Sequence, residues 1–305
     1  MPEWDAEVEI DEPLVRALLE EQFPELATGT VRFLGKGWDN SVWIVDDRWT
    51  FRFPRRAVAV PGVERELTVL PQVARLLPVS VPEPKLVGAA TERFPWPFFA
   101  YRPLPGVEPA DAGLSESERA NVGAQLGRFL RVLHAPKTRA AVDPECVLPV
   151  DFNRRADMAF RVPRARENLV DLRELGLWTA PAVVERILAS AEKLPQASGE
   201  LALVHGDLHL RHVLVADGAI AAVIDWGDVC LADPCIDLAL VWSLLTPAGR
   251  ERFFAGYGPV TDEQLLRSRV LAIVLDSMLA RYAHDAGHAS LLRESLGGLE
   301  RTLAD

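Results

Sequence analysis

The stretch of the chain that decides the fold is residues 201–234, which read LALVHGDLHLRHVLVADGAIAAVIDWGDVCLADP. This stretch predicts an apolar strand, a polar loop, a hairpin that turns at Asp217-Gly218, and an acidic loop, because Asp-Gly between alternating apolar residues favours a tight turn. Asp207 follows the first of these strands, and Asp225 lies just past the last one. Such a frame can hold two oxygen ligands and a base at the mouth of one cleft.

Phosphoryl transfer is the chemistry that this frame favours. Its transition state spreads negative charge over several oxygens, so metal and cations must neutralise that charge, and a carboxylate must orient the attacking hydroxyl. We therefore predict that Asp207 is the catalytic base and that Asp225 is a metal ligand. The alternative for either aspartate taken singly is that it caps a turn, which is a common role of Asp beside Gly.

At this block the chain resembles the aminoglycoside phosphotransferase family, whose members are relatives of protein kinases. The residues that carry the resemblance are His205, Gly206, Asp207 and Leu208, then His212, then Ile224, Asp225, Trp226 and Gly227, and last Asp233, Pro234, Asp237, Leu238 and Ala239. The resemblance implies a bilobal α+β fold of the protein-kinase type, with a small antiparallel-sheet N-lobe, a larger helical C-lobe and the nucleotide between them. It also implies ATP or GTP as phosphate donor and Mg²⁺ as the metal.

The N-terminal third of the chain carries the same resemblance. Residues 35–40, GKGWDN, resemble the short nucleotide loop between the first two strands, and residues 49–54, WTFRFP, resemble the third strand with its phosphate-binding basic residue. Residues 65–67 resemble the helix whose Glu pairs with that basic residue, and residues 98–104 resemble the segment that holds the purine. The nucleotide-site residues implied in this way are Gly35, Gly37, Asn40, Ser41, Arg52, Glu66, Phe99 and Tyr101.

Two residues depart from the pattern of the family. Arg52 stands where the family usually has Lys, which keeps the charge but changes the geometry of phosphate contact. The alternative for Arg52 is a solvated strand residue. His212 stands where most relatives have an Asn metal ligand, and Mg²⁺ prefers oxygen to imidazole nitrogen. Macrolide kinases of the superfamily also carry His there, which favours a macrolide substrate. We predict His212 as a metal ligand and keep an outer supporting role as the alternative.

Local patterns ahead of residue 201 predict the secondary structure. Alternating segments predict strands, and apolar residues at helical spacing predict helices. The second helix is interrupted at Pro71, which either kinks it or starts another helix. A capping box at Ser115 and Glu118 predicts where the first long helix of the C-lobe begins. The strands are expected at residues 31–34, 41–45, 48–53 and 98–102, and the helices at residues 11–20 and 63–77.

Length and charge limit what the protein does. A chain of 305 residues is long enough for two lobes, which we place at residues 1–102 for nucleotide binding and 103–305 for catalysis and substrate. The net charge of −11 disfavours a nucleic-acid partner and favours a small cationic substrate. The acids expected to face such a substrate are Asp151, Glu167, Asp171 and Asp228.

Cellular location is predicted from what the sequence lacks. The N-terminal residues are acidic without an apolar core, and no run of about 18 apolar residues occurs, so we expect a cytoplasmic protein without a membrane partner. Cys146, Cys230 and Cys235 form no C-x-x-C pair, so neither a disulfide framework nor a thiolate zinc site is expected. The sequence leaves open whether the protein is a monomer or a dimer.

The predicted function is a nucleotide-dependent phosphotransferase acting on a hydroxyl of a small molecule, an aminoglycoside or macrolide antibiotic. The alternatives are a metabolite kinase of the choline, homoserine or sugar type, and a degenerate kinase that only binds. A zinc hydrolase is a further alternative, because His205, Asp207, His209 and His212 are close in sequence. His284 and His288 also have metal-compatible spacing on a predicted helix, for which a solvated helix end is the other interpretation.

Overall fold

The computed structural model describes residues 6–37 and 39–304, which form two compact units. The N-terminal unit contains the described residues up to Arg75, together with Val81–Leu104 and Asp225–Asp228. The C-terminal unit contains Leu76–Ser80, Pro105–Ile224 and the described residues from Val229 onward. The predicted lobes are continuous stretches of chain, whereas each compact unit gathers segments from several places.

A five-stranded antiparallel sheet in the order β1-β2-β3-β5-β4 forms the centre of the N-terminal unit. Alternation along β3 sends Phe51 and Phe53 into an aromatic core, where Phe53 stacks on Phe98 of β5 with ring centroids 4.8 Å apart. The strands are β1 Val31–Lys36, β2 Asn40–Val45, β3 Trp49–Pro54, β4 Leu86–Gly88 and β5 Phe98–Tyr101.

Two helices accompany this sheet, α1 (Glu12–Gln22) and α2 (Val60–Val73), with short 3₁₀ turns at Pro24–Leu26 and Ala57–Ala59. Leu18 and Leu19 of α1 are fully buried in the aromatic core. Pro71 does not start a second helix, so that alternative is wrong, because α2 continues through Pro71 to Val73. Pro71 lies in the last turn, where the proline removes one backbone hydrogen bond and little helix remains to be broken.

Nine helices and two small sheets make up the described part of the C-terminal unit. The long helix α10 packs against four others, namely α11, α8, α6 and α7. The helix α4 begins with the predicted capping box, in which Ser115 and Glu118 bond each other's backbone N–H groups. The helices are α3 Pro109–Ala112, α4 Glu116–Leu133, α5 Pro136–Val142, α6 Met158–Glu174, α7 Ala182–Ala191, α8 Cys235–Leu244, α9 Pro247–Tyr257, α10 Asp262–Ala286 and α11 Ala289–Leu303.

The strands of this unit confirm the hairpin that the sequence predicts. β6 (Ala202–Val204) pairs with β9 (Cys230–Ala232), and β7 (Val213–Ala216) pairs with β8 (Ala219–Val223), both antiparallel. The turn residues Asp217 and Gly218 have φ angles of 50° and 68°, as a tight hairpin turn requires. The predicted α+β architecture is therefore confirmed. Over residues 6–37 and 39–304, no helix combines the length and apolar character needed to cross a membrane.

One buried carboxyl group in the helical unit makes folding stability depend on pH. Asp276 of α10 is fully buried, and its Oδ2 accepts a hydrogen bond from the Ser243 hydroxyl at 2.8 Å. Its Oδ1 has no hydrogen-bond partner among the described residues, and burial raises the pKa of Asp276 to about 8. The folded state therefore holds this proton over a pH range in which the unfolded chain releases it.

We expect Asp276→Asn to remove this dependence on pH. In the wild type, the free energy of unfolding decreases by up to about 1.4 kcal/mol for each pH unit between the unfolded and the folded pKa of this group. The stability of the variant relative to the wild type should therefore increase between about pH 6 and pH 8, as measured by urea unfolding. Asp285→Asn, on the same helix but 56% exposed, is the control. A constant difference between variant and wild type over this range would contradict the prediction.

Candidate active site

Arg52 is the centre of the polar cluster in the N-terminal unit. It lies on β3, and only 8% of its surface is exposed, so the solvated alternative is wrong. Its Nη1 donates to Glu66 Oε1 at 2.7 Å, which is the predicted ion pair, and its Nη2 donates to Asp225 Oδ1 at 2.7 Å. One guanidinium therefore holds a helix carboxylate and the predicted metal ligand together.

Burial controls the charge balance of this cluster. Glu66 is fully buried, and burial raises its pKa to about 7, although Arg52 lowers it. Burial also lowers the pKa of Arg52, but Asp225 and Glu66 together raise it above its ordinary value. The backbone N–H of Trp226 donates to Glu66 Oε1 at 3.0 Å, while Glu66 Oε2 has no hydrogen-bond partner among the described residues. The cluster therefore depends on Arg52 remaining in place.

Two aromatic residues of β5 lie on the same face of the sheet as Arg52. Arg52 is opposite Phe99 and Thr50 is opposite Tyr101 in the antiparallel register. The Phe99 and Tyr101 rings lie 6.1 Å apart, and Phe99 is fully buried. Burial raises the pKa of Tyr101 to about 12, an effect that Arg52 opposes. The structure thus places the predicted purine-holding strand beside the predicted phosphate contact.

The observed loop between β1 and β2 is shorter than the nucleotide loop predicted at residues 35–40. Gly35 and Lys36 still pair with β2, after a bulge that follows Phe33, because both backbones find partners across the ladder. β1 ends at Lys36 and β2 begins at Asn40, and Trp38 lies outside the described residues. A side chain added at either Gly35 or Gly37 would meet no atom within 4 Å, so open space adjoins both glycines.

Asn40 and Ser41 point in different directions at the start of β2. With its amide oxygen turned toward the guanidinium, Asn40 accepts hydrogen bonds from Arg52 Nη2 at 2.9 Å and Nε at 3.2 Å. Ser41 is buried, and its hydroxyl accepts from the Trp43 indole at 2.9 Å. Asn40 therefore joins the Arg52 cluster, whereas the Ser41 hydroxyl does not.

In the C-terminal unit, a buried aspartate holds the loop that carries Asp207. The backbone N–H groups of His205 and Gly206 donate to the two oxygens of Asp237 at 2.7 and 3.0 Å. Asp237 is fully buried and also lies 3.0 Å from His134 Nε2. Through these contacts Asp237 anchors the loop. Burial lowers the pKa of His205, whose Nε2 lies 3.0 Å from the Ile224 carbonyl oxygen.

The carboxylate of Asp207 is surrounded by nitrogen atoms. Its Oδ1 accepts a hydrogen bond from Arg155 Nη2 at 2.7 Å. Its Oδ2 lies 3.6 Å from His209 Nε2 and 3.7 Å from His212 Nδ1, and the two imidazoles are stacked with centroids 3.8 Å apart. The sequence did not indicate Arg155, which precedes Asp207 by 52 residues in a loop without a recognisable motif.

The predicted metal ligands are each engaged by the protein. Asp225 Oδ1 accepts from Arg52, and 44% of the Asp225 side chain is exposed. His212 Nδ1 donates to the Asp207 carbonyl oxygen at 2.7 Å, so only Nε2 has a lone pair for a metal. The carboxylate of Asp225 suits Mg²⁺, whereas the imidazole of His212 is a poorer ligand for it. Metal ligation by His212 stays a prediction.

Asp207, His209 and His212 could also hold a metal, since their ligand atoms lie within 4.8 Å of one another. The hydrogen bonds argue for another role. His209 Nδ1 accepts from the Arg211 backbone N–H at 3.2 Å, so its Nε2 carries the proton and directs it toward Asp207. His284 and His288 do not share one helix, because Gly287 ends α10 and His288 precedes α11. Both are exposed, which confirms the interpretation as a solvated helix end.

The acids expected to face a cationic substrate are largely occupied within the C-terminal unit. Asp151 accepts the backbone N–H groups of Arg155 and Ala156, and Glu167 pairs with Arg164 at 3.1 Å. Asp171 pairs with Arg281 at 2.9 Å. These contacts give the three acids structural roles, so they offer no separate support for a cationic substrate.

Comparisons with known proteins agree with this fold. The profile of the phosphotransferase enzyme family, APH, matches residues 30–268. An aminoglycoside 3'-phosphotransferase of Escherichia coli is 30% identical over 141 residues, which are 45% of this chain and 49% of that protein. An aminoglycoside 3'-phosphotransferase of Streptomyces fradiae is 29% identical over 194 residues, 58% of this chain and 67% of that protein. The chain spans about half the length of the first curated relatives it matches.

Solved structures share the fold over nearly the whole chain. The GDP and kanamycin complex of APH(2")-IIIa has a TM-score of 0.70 at 21% identity, and covers 94% of this chain and 97% of that one. Macrolide 2'-phosphotransferase MphH from Brachybacterium faecium has a TM-score of 0.57 at 22% identity, covering 95% and 98%. The fold is thus the α+β fold of kinase-like phosphotransferases. Since its profile covers most of the chain, the protein belongs to the phosphotransferase enzyme family.

Proposed function

We propose that this protein is a nucleotide-dependent O-phosphotransferase that phosphorylates a hydroxyl of a small molecule, an aminoglycoside or macrolide antibiotic. The observation that carries the proposal is the Asp207 carboxylate, held directly after β6 by a loop whose backbone is anchored on buried Asp237. A general base needs such fixed geometry to orient an attacking hydroxyl. The net charge of −11 supports a cationic acceptor.

The N-terminal unit is proposed to bind ATP or GTP. Arg52 contacts the phosphates and keeps Glu66 in place, while Phe99 and Tyr101 belong to the strand whose backbone holds the purine. Gly35, Gly37 and Asn40 line the phosphate side, where the glycines leave open space. Ser41 supports this end of β2 through Trp43. We retain residues 1–102 as the nucleotide-binding lobe and residues 103–305 as the catalytic lobe.

In the proposed reaction, Asp207 accepts a proton and Arg52 neutralises charge. Asp207 accepts the proton of the acceptor hydroxyl as its oxygen attacks the γ-phosphorus, and the bond between that phosphorus and the β–γ bridging oxygen breaks. Arg52 neutralises phosphate charge during this step. Mg²⁺, with Asp225 as its carboxylate ligand and His212 as the second candidate, supplies further neutralisation when bound.

A coupled nucleotide-consumption assay tests the proposal. Mg-ATP and Mg-GTP are each offered with aminoglycosides, macrolides and small hydroxylated amines. The proposal predicts consumption that depends on one of the antibiotics. Turnover confined to the small amines would instead assign a metabolite kinase, and nucleotide binding without turnover on any acceptor would contradict the proposed activity.

The metal assignment predicts that Asp225→Asn weakens binding of Mg-nucleotide by about tenfold or more, because a carboxylate ligand to a hard cation is lost. Isothermal titration calorimetry with Mg-ADP, and with ADP in EDTA, separates the metal-dependent part of the nucleotide affinity from the rest. Asp47→Asn is the control, since Asp47 is 81% exposed and pairs with Arg32 in the same unit. Unchanged Mg-ADP affinity in Asp225→Asn would show that Asp225 is not the ligand.

A further inference from the structure

The segment from Val150 to Asp157 in the C-terminal unit has an unusual backbone. Asp151 and Arg154 have φ angles of 26° and 52°, in the left-handed region that side chains other than glycine rarely adopt. Each such residue costs free energy and persists only when its surroundings impose it. Two such residues within four positions indicate that contacts with the surrounding protein hold the backbone of this segment in place.

Hydrogen bonds from three directions fix that path. The Asp151 carboxylate accepts the backbone N–H groups of Arg155 at 2.7 Å and Ala156 at 2.9 Å. Arg161 of α6 donates to the carbonyl oxygens of Asn153 and Arg154. The Asp151 N–H donates to the Leu231 carbonyl at 3.1 Å, which ties the segment to β9.

This hydrogen bond connects the segment, through β9, to the strand that precedes the loop carrying Asp207. β9 pairs with β6, and Asp207 follows β6 by three residues. The segment and Asp207 are therefore held by the same two-stranded sheet. The arrangement sets the distance between Arg155 and Asp207, which hydrogen bond at 2.7 Å with side chains only 15% and 25% exposed.

Arg154, the neighbour of Arg155, does not contact the proposed base in the same way. Arg154 has a side chain that is 59% exposed and pairs with Asp157 three residues later, an ordinary surface contact. Arg155 instead directs its guanidinium onto the carboxylate of the proposed base. Arginine suits this role, because its planar donors fix the orientation of a carboxylate more rigidly than an ammonium does.

We propose that Arg155 is a positioning residue for Asp207, an inference that rests on the proposed function. By holding Oδ1, Arg155 fixes the rotation of the carboxylate and directs Oδ2 to the acceptor hydroxyl. The nearest imidazole nitrogens are 3.6 and 3.7 Å from Oδ2, beyond hydrogen-bond length, so they do not replace this constraint. Within the segment from Val150 to Asp157, Arg155 is then the one side chain that acts on the base, and the fixed backbone serves to place it.

Kinetics of Arg155 variants test this role. Arg155→Met should lower kcat by about 10²-fold, because a misplaced base loses its alignment, while the KM values of nucleotide and acceptor stay nearly constant. Arg155→Lys should recover part of the loss, and added guanidinium should increase the rate of Arg155→Ala. Arg154→Met, which removes the same charge from the same segment, should keep the wild-type kcat. Equal kcat values in Arg155→Met and Arg154→Met would overturn the proposal.

Crystal structures of Arg155→Met and the wild type provide a readout that needs no acceptor. We expect the Asp207 carboxylate to rotate or lose order in the variant, while His205 and Gly206 stay bonded to Asp237. An unmoved, well-ordered carboxylate would overturn the positioning role whatever the activity. A displaced carboxylate in a protein that phosphorylates no acceptor would support the positioning role and contradict the proposed function instead. If Arg155→Met does not fold, the Arg155→Lys structure and kinetics decide in the same way.

Discussion

Asp207→Asn is expected to lower kcat for phosphoryl transfer by about 10²–10⁴-fold, the usual contribution of a general base. Asparagine keeps the size of the side chain, and its amide oxygen can still accept the hydrogen bond from Arg155, so the loop on Asp237 should stay in place. The amide cannot take the proton of the acceptor hydroxyl. The loss should therefore appear in kcat, whereas the Kd for Mg-nucleotide should change little.

Steady-state kinetics and nucleotide titration of the same preparation measure this result. Asp217→Asn is a matched control from the same block, because Asn-Gly forms the same tight turn as Asp217-Gly218. It should keep wild-type kinetics. An Asp207→Asn enzyme with normal turnover would show that another group accepts the proton. Loss of nucleotide binding in that variant would indicate a structural effect of the substitution.

Arg52→Met is expected to destabilise the protein by about 3–5 kcal/mol, because it removes the partner of the buried Glu66 carboxylate. The effect should grow with pH. The folded pKa of Glu66 is already raised to about 7, and losing Arg52 raises it further, so the variant must bind a proton that the unfolded chain releases. The difference from the wild type should therefore be larger at about pH 8 than at about pH 6.

Urea unfolding at the two pH values measures this loss of stability. Arg52→Met with Glu66→Gln should recover much of it, because the double variant no longer buries an unpaired charge. Arg48→Met, on the exposed turn before the same strand, is the control. If Arg52→Met unfolds at the wild-type urea concentration at about pH 8, then Glu66 does not depend on Arg52 in the way that the distances indicate.

Short-range patterns predicted much of the fold correctly. Period-two alternation predicted a strand at residues 48–53, which agrees with β3 to within one residue at each end, and the Asp-Gly pair located the hairpin. The capping box at Ser115 located the start of α4. Each of these signals depends on residues within a few positions of one another, where backbone geometry determines the structure.

Long-range contacts of the site could not be predicted in this way. Arg52 and Asp225 are 173 residues apart, and Arg155 and Asp207 are 52 residues apart. Neither pair has a local signature, because the contact depends on how several elements pack. The nucleotide loop was predicted to be too long because a local signal was misleading. Glycine suggests a loop, but the backbone of Gly35 remains in β1 and pairs with β2.

Detection of the phosphorylated product tests whether this protein transfers phosphate to an antibiotic hydroxyl with Asp207 as the base. Wild type and Asp207→Asn are incubated with Mg-ATP or Mg-GTP and the antibiotic panel, and the acceptors are analysed by mass spectrometry and ³¹P NMR. The account predicts that the wild type adds one phosphoryl group to an antibiotic hydroxyl as nucleoside diphosphate accumulates, and that Asp207→Asn adds none at comparable times. Nucleotide consumption without a phosphorylated acceptor, or equal product from both proteins, would contradict it.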